Sequence, residues 1–159
     1  MNASDSEIEQ QVRRFGERLR MRRTQAGLSQ LALAERAGVD LAAVSFLERA
    51  KRAPNLNTLV RVARAAGVAP GALLEDEEPP RSPRPGRAEE DPLKLFGVNL
   101  RRVRDGAGMS QEALAQEAKL DRAAISIIER GTRAANLRTI LKLARALRVP
   151  PASLLEGIG

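Results

Sequence analysis

Residues 28–49 read LSQLALAERAGVDLAAVSFLER, and this stretch decides the fold. Ser29 has the side chain of a helix N-cap, and the apolar residues after it recur at helical spacing. Gly38 can end that helix because glycine adopts left-handed backbone without steric cost. Asp40 can cap a second helix over residues 41 to about 49. The stretch therefore predicts two short helices that meet across a tight turn.

The same pattern occurs a second time, 81 residues further along the chain. Residues 109–130 read MSQEALAQEAKLDRAAISIIER. An ungapped comparison of residues 15–75 with residues 96–156 finds 32 identical positions of 61. Such self-similarity indicates a duplicated unit, and it predicts two copies of one domain.

Each repeat is predicted to hold five short helices around this stretch. Before it, four apolar side chains recur at the spacing of a helix: Ile8, Val12, Phe15 and Leu19. After it, Asn55 can cap a fourth helix over residues 56–66, and a fifth short turn covers residues 70–74. In the second repeat, Asp91 and Pro92 favour a helix start at the matching place. No stretch alternates like a β-strand for more than a few residues, so the predicted fold class is all-α.

The chain between the repeats has a different composition. Residues 76–92 contain five prolines, many charges and a single apolar side chain, as is typical of an extended linker. We therefore divide the chain into a first domain with an N-terminal helical extension at 1–75, a Pro-rich charged linker at 76–91 and a second domain at 92–159. A linker of this kind leaves the relative orientation of the two domains open.

The composition excludes most catalytic chemistry. The 159 residues include 27 Lys and Arg, 20 Asp and Glu, and neither Cys nor His. A chain without those two residue types has no disulfide, no thiol nucleophile, no His general base and no Cys or His metal ligand. We therefore expect no catalytic residue, no metal and no cofactor. The net charge is +7, and each repeat carries +5 over its 61 matched positions.

The sequence also shows no signal for a membrane or for export. No apolar run approaches the roughly 20 residues that span a bilayer. The N-terminus is polar and acidic, unlike a signal peptide. These features predict no membrane partner and a cytoplasmic protein.

Short motifs recur in both repeats and extend over about three-quarters of the chain. The motifs are Leu28-Ser29-Gln30, Leu33-Ala34, Ala37-Gly38-Val39, Val44-Ser45, Leu47-Glu48-Arg49 and Pro54-Asn55-Leu56, with Met109-Ser110-Gln111, Leu114-Ala115, Ile125-Ser126, Ile128-Glu129-Arg130-Gly131 and Asn136-Leu137 in the second copy. In this pattern the chain resembles the Cro/C1-type helix-turn-helix family, also called the xenobiotic response element family. The resemblance implies two tandem lambda repressor-like domains joined by a Pro-rich linker, which bind double-stranded DNA sequence-specifically.

The resemblance further implies which side chains meet DNA. The start of the third helix enters the major groove, and its outward positions are Leu41, Ala42, Ser45 and Phe46 in the first repeat, and Arg122, Ala123, Ser126 and Ile127 in the second. Phosphate contacts are expected at the start of helix two and after helix three, from Gln30, Gln111, Lys51, Arg52, Arg130, Thr132 and Arg133. A structural ion pair between the first and third helices is expected in each repeat, joining Arg23 to Glu48 and Arg104 to Glu129.

The two repeats differ most where bases would be read. Arg122 can make a forked contact to guanine, whereas its counterpart Leu41 offers only apolar contact. Phe46 occupies a position that is often polar in the family. We therefore expect the second repeat to read sequence more strongly, while the first is a weaker reader or a surface for a protein partner.

Each repeat also lacks one glycine of the pattern. Ala50 stands where the second repeat has Gly131, and Lys119 stands where the first has Gly38. Left-handed backbone at a residue other than glycine costs about 1 kcal/mol. We expect this cost at both positions if the backbone there is left-handed.

The predicted function is a sequence-specific transcriptional regulator, a repressor that reads adjacent half-sites with its two modules and blocks a promoter sterically. Two alternatives remain open: a protein-interaction or antitoxin-like module, and a non-specific architectural DNA binder. A homodimer also remains open, through the apolar residues Leu73, Leu74, Leu154, Leu155 and Ile158. For the four leucines among them, we favour packing in the core. The arginines of helix four are predicted to face solvent: Arg61, Arg64, Arg138 and Arg145.

Overall fold

The computed structural model describes residues 3–75 and 91–159, and every named element in those ranges is helical. The first repeat consists of α1 (Ala3–Gln25), α2 (Gln30–Ala37), α3 (Leu41–Glu48), α4 (Leu56–Ala65) and a short 3-10 helix (Pro70–Leu73). The second consists of α5 (Pro92–Gly106), α6 (Gln111–Ala118), α7 (Arg122–Glu129), α8 (Leu137–Leu147) and α9 (Pro151–Leu154). The predicted all-α fold with five helices in each repeat is confirmed.

Local sequence signals set most helix ends. The Ser29 hydroxyl accepts a hydrogen bond from the Ala32 amide at 3.0 Å and caps α2, as the sequence predicts. Gly38 ends α2 in the left-handed region with φ of 68°. Asp40 occupies the N-cap position of α3, but its side chain accepts no capping hydrogen bond, so that part of the prediction was wrong.

The linker assignment at 76–91 falls almost entirely outside the described residues. Asp91, its last residue, is described and is the N-cap of α5, where its side chain accepts a hydrogen bond from the Leu93 amide at 3.0 Å. Among residues 3–75 and 91–159, no helix is both long enough and apolar enough to span a membrane.

Within each repeat, a glycine brings the first helix against the third. A β-carbon added at Gly16 would lie 2.6 Å from the Leu47 carbonyl oxygen and 2.7 Å from that of Glu48. Gly97 makes the matching approach to the end of α7. Because no side chain fits there, the end of the third helix is held directly against the backbone of the first.

The two repeats are packed on each other around a continuous apolar core. The Leu56 amide donates to the Ala135 carbonyl at 2.9 Å, and the Leu137 amide donates to the Pro54 carbonyl at 2.8 Å. These two bonds are equivalent under the 81-residue shift, and they join the repeats in an antiparallel bridge. We call this segment, residues 54–56 with 135–137, the repeat junction. Its reciprocity is that of a two-fold symmetric interface within one chain.

The remaining contacts between repeats follow the same symmetry. Helix α1 packs on α8 and α5 packs on α4, while α9 packs on the 3-10 helix. The apolar residues that left a homodimer open are all buried in the core of the single chain: Leu73, Leu74, Leu154, Leu155 and Ile158. Core packing is thereby confirmed for the four leucines.

The N-terminal extension of α1 breaks this symmetry. Helix α5 begins at Pro92, whose counterpart is Gln11, so α1 has about two extra turns. These turns bury Ile8 and bring Glu9 to Arg138, with 2.7 Å between Glu9 Oε1 and Arg138 Nε. A second ion pair joins Glu7 and Arg145.

Arg138, which the sequence predicts to face solvent, is half-buried and pairs with Glu9, so that prediction was wrong, whereas Arg145 is exposed as predicted and pairs with Glu7. The two arginines of α4, Arg61 and Arg64, are exposed as predicted. Arg138 differs because the α1 extension, which packs on α8, brings Glu9 to it.

Candidate nucleic-acid interface

A buried ion pair fixes the third helix of each repeat to the first. In the first repeat, Arg23 Nε lies 2.5 Å from Glu48 Oε1, with 11% and 3% of the two side chains exposed. Arg23 Nη1 also donates to the Leu28 carbonyl at 2.9 Å. In the second repeat, Arg104 Nε lies 2.8 Å from Glu129 Oε1. Both ion pairs that the resemblance implies are therefore formed in the structure.

The glutamines at the start of α2 and α6 belong to the same networks. Gln30 Nε2 donates to Glu48 Oε2 at 2.5 Å, and Gln111 Nε2 donates to Glu129 Oε2 at 2.7 Å. The resemblance implies only a phosphate contact for these glutamines, and their bond to glutamate was not predicted. An amide nitrogen carries two donors, so one N–H of each glutamine remains for a phosphate oxygen.

The positions predicted to read bases lie together on the outward side of α3 and α7. Their exposure repeats between the copies: the first two of each set are exposed and the last two are half-buried. The sets are Leu41, Ala42, Ser45 and Phe46, and Arg122, Ala123, Ser126 and Ile127. The inward side of the same helices is buried in the core, through Val44 and Leu47 in α3 and through Ile125 and Ile128 in α7. The outward side is therefore free to enter a groove.

The positions predicted to hold phosphate follow directly after these helices and are exposed: Lys51, Arg52, Arg130, Thr132 and Arg133. Arg130 Nε donates to the Ser126 carbonyl at 3.3 Å, which is one helical turn earlier. The Thr132 hydroxyl donates to the Ile127 carbonyl at 3.4 Å. These bonds hold the side chains beside the outward face of α7.

The turns that frame the motif are left-handed at all four glycine-pattern positions. Gly38 and Gly131 have φ of 68° and 70°, and Lys119 and Ala50 have φ of 56° and 57°. The condition for backbone strain at Lys119 and Ala50 is therefore met. Gly131 has a second reason to be glycine, because an added β-carbon would lie 2.8 Å from the Lys94 α-carbon.

No cluster of three or more His, Cys, Asp or Glu side chains in residues 3–75 and 91–159 is arranged to hold a metal ion. The chemistry that the two faces do offer is hydrogen-bond donation and positive charge. Each face combines side chains on a recognition helix with cations at its end, which is the arrangement that contacts bases and phosphates.

Comparison with known proteins identifies the class. The helix-turn-helix family model matches residues 19–73 and 100–154, which together are more than half of the chain. The chain belongs to the helix-turn-helix family. The two matched regions coincide with the two repeats, and the resemblance to Cro/C1-type proteins is confirmed.

The relatives are regulators by name. Control protein C.BamHI of Bacillus amyloliquefaciens is 49% identical over 63 residues, covering 39% of this chain and 78% of the relative. The HTH-type transcriptional regulator PuuR of Escherichia coli (strain K12) is 30% identical over 93 residues, covering 57% of this chain and 50% of PuuR. The crystal structure of the restriction-modification controller protein C.AhdI from Aeromonas hydrophila shares 47% identity, covers 39% of this chain and 94% of that protein, and has a TM-score of 0.39. Because the family model matches both repeats and the curated relatives C.BamHI and PuuR are regulators by name, this helix-turn-helix chain is a DNA-binding transcriptional regulator.

Proposed function

We propose that this helix-turn-helix chain is a repressor that binds an inverted repeat in double-stranded DNA as a dimer-like unit within one polypeptide. The observation that carries the proposal is the repeat junction, in which Leu56 bonds to Ala135 and Leu137 bonds to Pro54. A two-fold relation between the repeats turns α3 and α7 in opposite directions along DNA. Half-sites for such a pair are inverted, about one helical turn or roughly 34 Å apart.

The covalent link strengthens weak modules. Once one repeat has bound its half-site, the second binds intramolecularly at a high effective concentration. Because the repeats are also packed on each other, the spacing between α3 and α7 is set before DNA arrives. Less conformational freedom is then lost on binding.

Each predicted contact residue has a role in this complex. The remaining N–H of Gln30 and Gln111 donates to a phosphate at the start of α2 and α6, aided by the helix dipole. The exposed residues after α3 and α7 hold the flanking backbone. The exposed first turn of each recognition helix, with Leu41 and Arg122 at its start, meets base edges in the major groove.

The operator is an imperfect inverted repeat. Arg122 pairs with guanine in one half-site, and Leu41 contacts a thymine methyl at the matching position of the other. Because the two halves differ, the protein binds in one orientation. It acts in the cytoplasm at the nucleoid, where it blocks a promoter sterically.

A second candidate function is supported by exposed apolar side chains of the first repeat. Met21, Leu31 and Leu41 are 47%, 53% and 46% exposed. All three counterparts in the second repeat are charged: Arg102, Glu112 and Arg122. A protein partner docked on the first repeat would account for this difference.

Selection of bound duplexes from a random pool tests the proposal. The full chain is used at about 150 mM salt, together with the variants Arg122→Ala and Leu41→Ala. We expect two inverted half-sites from the wild type, and loss of one conserved guanine with Arg122→Ala. We call the recovered sequence the selected duplex.

Other outcomes separate the alternatives. Binding without a motif, fading steeply with salt, supports the architectural role. Half-sites in direct orientation would contradict the proposed two-fold relation between the repeats on DNA. Retention of a protein and no DNA supports the second candidate.

A further inference from the structure

Two arginines pack against the ring of Phe46. The Cζ atom of Arg49 lies 5.5 Å from the ring centroid, and that of Arg52 lies 5.4 Å from it. Both distances are within the range of about 6 Å at which a cation is attracted to an aromatic face. The ring is half-buried at the end of α3, while both arginines are exposed.

The donors of the two arginines are largely unpaired in the part of the chain that the structure describes. Arg49 Nε donates to the Ser45 carbonyl at 3.3 Å, which leaves most of its donors free. Among residues 3–75 and 91–159, neither Arg49 nor Arg52 pairs with a carboxylate. Two guanidinium groups held at one ring repel each other, and a phosphate oxygen between or beside them would relieve that repulsion.

The second repeat has the same cations without the ring. Arg130 and Arg133 are the counterparts of Arg49 and Arg52, but Ile127 replaces Phe46. Arg130 keeps the matching bond to a carbonyl, at 3.3 Å. An aliphatic side chain has no quadrupole to attract a cation. Arg133 therefore has no contact equivalent to the one between Arg52 and the Phe46 ring.

We propose that Phe46 is a positioning residue that holds Arg49 and Arg52 in place to grip the DNA sugar–phosphate backbone, and that it does not read a base. The inference rests on the proposed DNA-binding role, and it gives Phe46 a different role from the base contact that the resemblance implies. The guanidinium groups occupy ring surface that a thymine methyl would need. The first repeat is then mainly an anchor, and the second supplies the sequence reading.

The test compares matched exchanges in the full chain. Phe46→Ile gives the first repeat the residue of the second, and Ile127→Phe makes the reverse change. Binding to a labelled duplex of scrambled sequence, about 30 base pairs long, is measured between about 50 and 200 mM salt. The selected duplex is measured in parallel.

We expect Phe46→Ile to weaken binding to both duplexes by about 3–10-fold, because the attraction of a ring for two cations is lost. The slope of log affinity against log salt concentration becomes shallower by about the amount expected for the loss of one phosphate contact. The ratio of affinities for the selected and scrambled duplexes stays unchanged. Ile127→Phe tightens binding to both duplexes, and Phe46→Tyr, which keeps the ring, behaves as the wild type.

Contrary results are distinct. A changed affinity ratio in Phe46→Ile makes the ring a base reader and overturns the proposal. Wild-type affinity and slope in Phe46→Ile overturn it too, while the DNA-binding function stands. If the wild type binds neither duplex, the proposed function fails and the inference fails with it. Thermal unfolding checks each variant, and if Phe46→Ile is unfolded, Phe46→Tyr and Ile127→Phe decide.

Discussion

The backbone amide of Leu56 donates to the carbonyl oxygen of Ala135, 2.9 Å away in the other repeat. The bond lies at the start of α4, beside side chains that are fully buried in a core shared by both repeats. A change in one repeat is therefore expected to destabilise the chain as a whole.

Gly16→Ala tests that coupling. The added β-carbon would meet the Leu47 and Glu48 carbonyl oxygens at 2.6 and 2.7 Å, so α1 and α3 must separate. We expect the free energy of unfolding to fall by at least about 2 kcal/mol, in one transition that includes both repeats. Urea unfolding followed by circular dichroism measures it. Gly106→Ala is the control, because nothing lies within 4 Å of its added β-carbon. Two separate transitions would contradict the shared core.

Glu48→Gln removes the charge that neutralises Arg23. The pair is buried, and loss of one partner of a buried pair costs about 3–5 kcal/mol. We expect a loss near the lower limit, since the glutamine still accepts one hydrogen bond. Glu35→Gln, at an exposed position of α2, should leave stability within about 0.5 kcal/mol of the wild type. Equal effects of the two changes in chemical denaturation would show that the pair contributes nothing.

Lys119→Gly should stabilise the protein. Its φ of 56° is left-handed, and relief of that strain outweighs the extra freedom of glycine in the unfolded chain by about 0.5–1 kcal/mol. Glu117→Gly, in regular helix two residues earlier, should destabilise by about 1 kcal/mol. A rise in melting temperature for the first and a fall for the second are expected. A fall for both would refute the strain at Lys119.

Glu9→Gln tests the extension of α1. The hydrogen bond from Arg138 lowers the pKa of the Glu9 carboxyl below its ordinary value of 4.5. A carboxyl with a lowered folded-state pKa contributes its full stability above 4.5, and the contribution is lost as pH falls through the folded-state value. Since the pair is about 40% exposed, the loss in Glu9→Gln at pH 7 should be below about 1 kcal/mol.

The pH dependence is the decisive part of that experiment. The difference between the wild type and Glu9→Gln should shrink when urea unfolding is repeated near pH 3. A difference of the same size at both pH values would exclude the ion pair as its source.

Sequence patterns were sufficient for the helices because their signals are local. Ser29 and Gly38 lie at the ends of α2 and act within one turn of it. The duplication supplied an independent check, since a motif found twice is less easily mistaken. The pairing of Arg23 with Glu48 came from the resemblance and not from any local signal.

The packing of the two repeats on each other has no comparable local signal in the sequence. The bonds of the repeat junction involve backbone atoms alone, and backbone atoms are the same in every residue. The contact of Glu9 with Arg138 joins residues 129 positions apart. At that separation, many other pairs of oppositely charged residues are equally compatible with the sequence. The bond from Gln30 to Glu48 could have been inferred, because both residues recur at the same spacing of 18 positions in the second repeat.

The repeat junction also sets how the regulator responds to its own abundance. A reader assembled from two separate subunits must first associate, so at low concentration its active form increases with the square of the subunit concentration. Here both recognition helices belong to one molecule that is already joined. In the proposed complex, occupancy of a mostly empty DNA site therefore rises in direct proportion to the number of chains, and a twofold dilution only halves the active form.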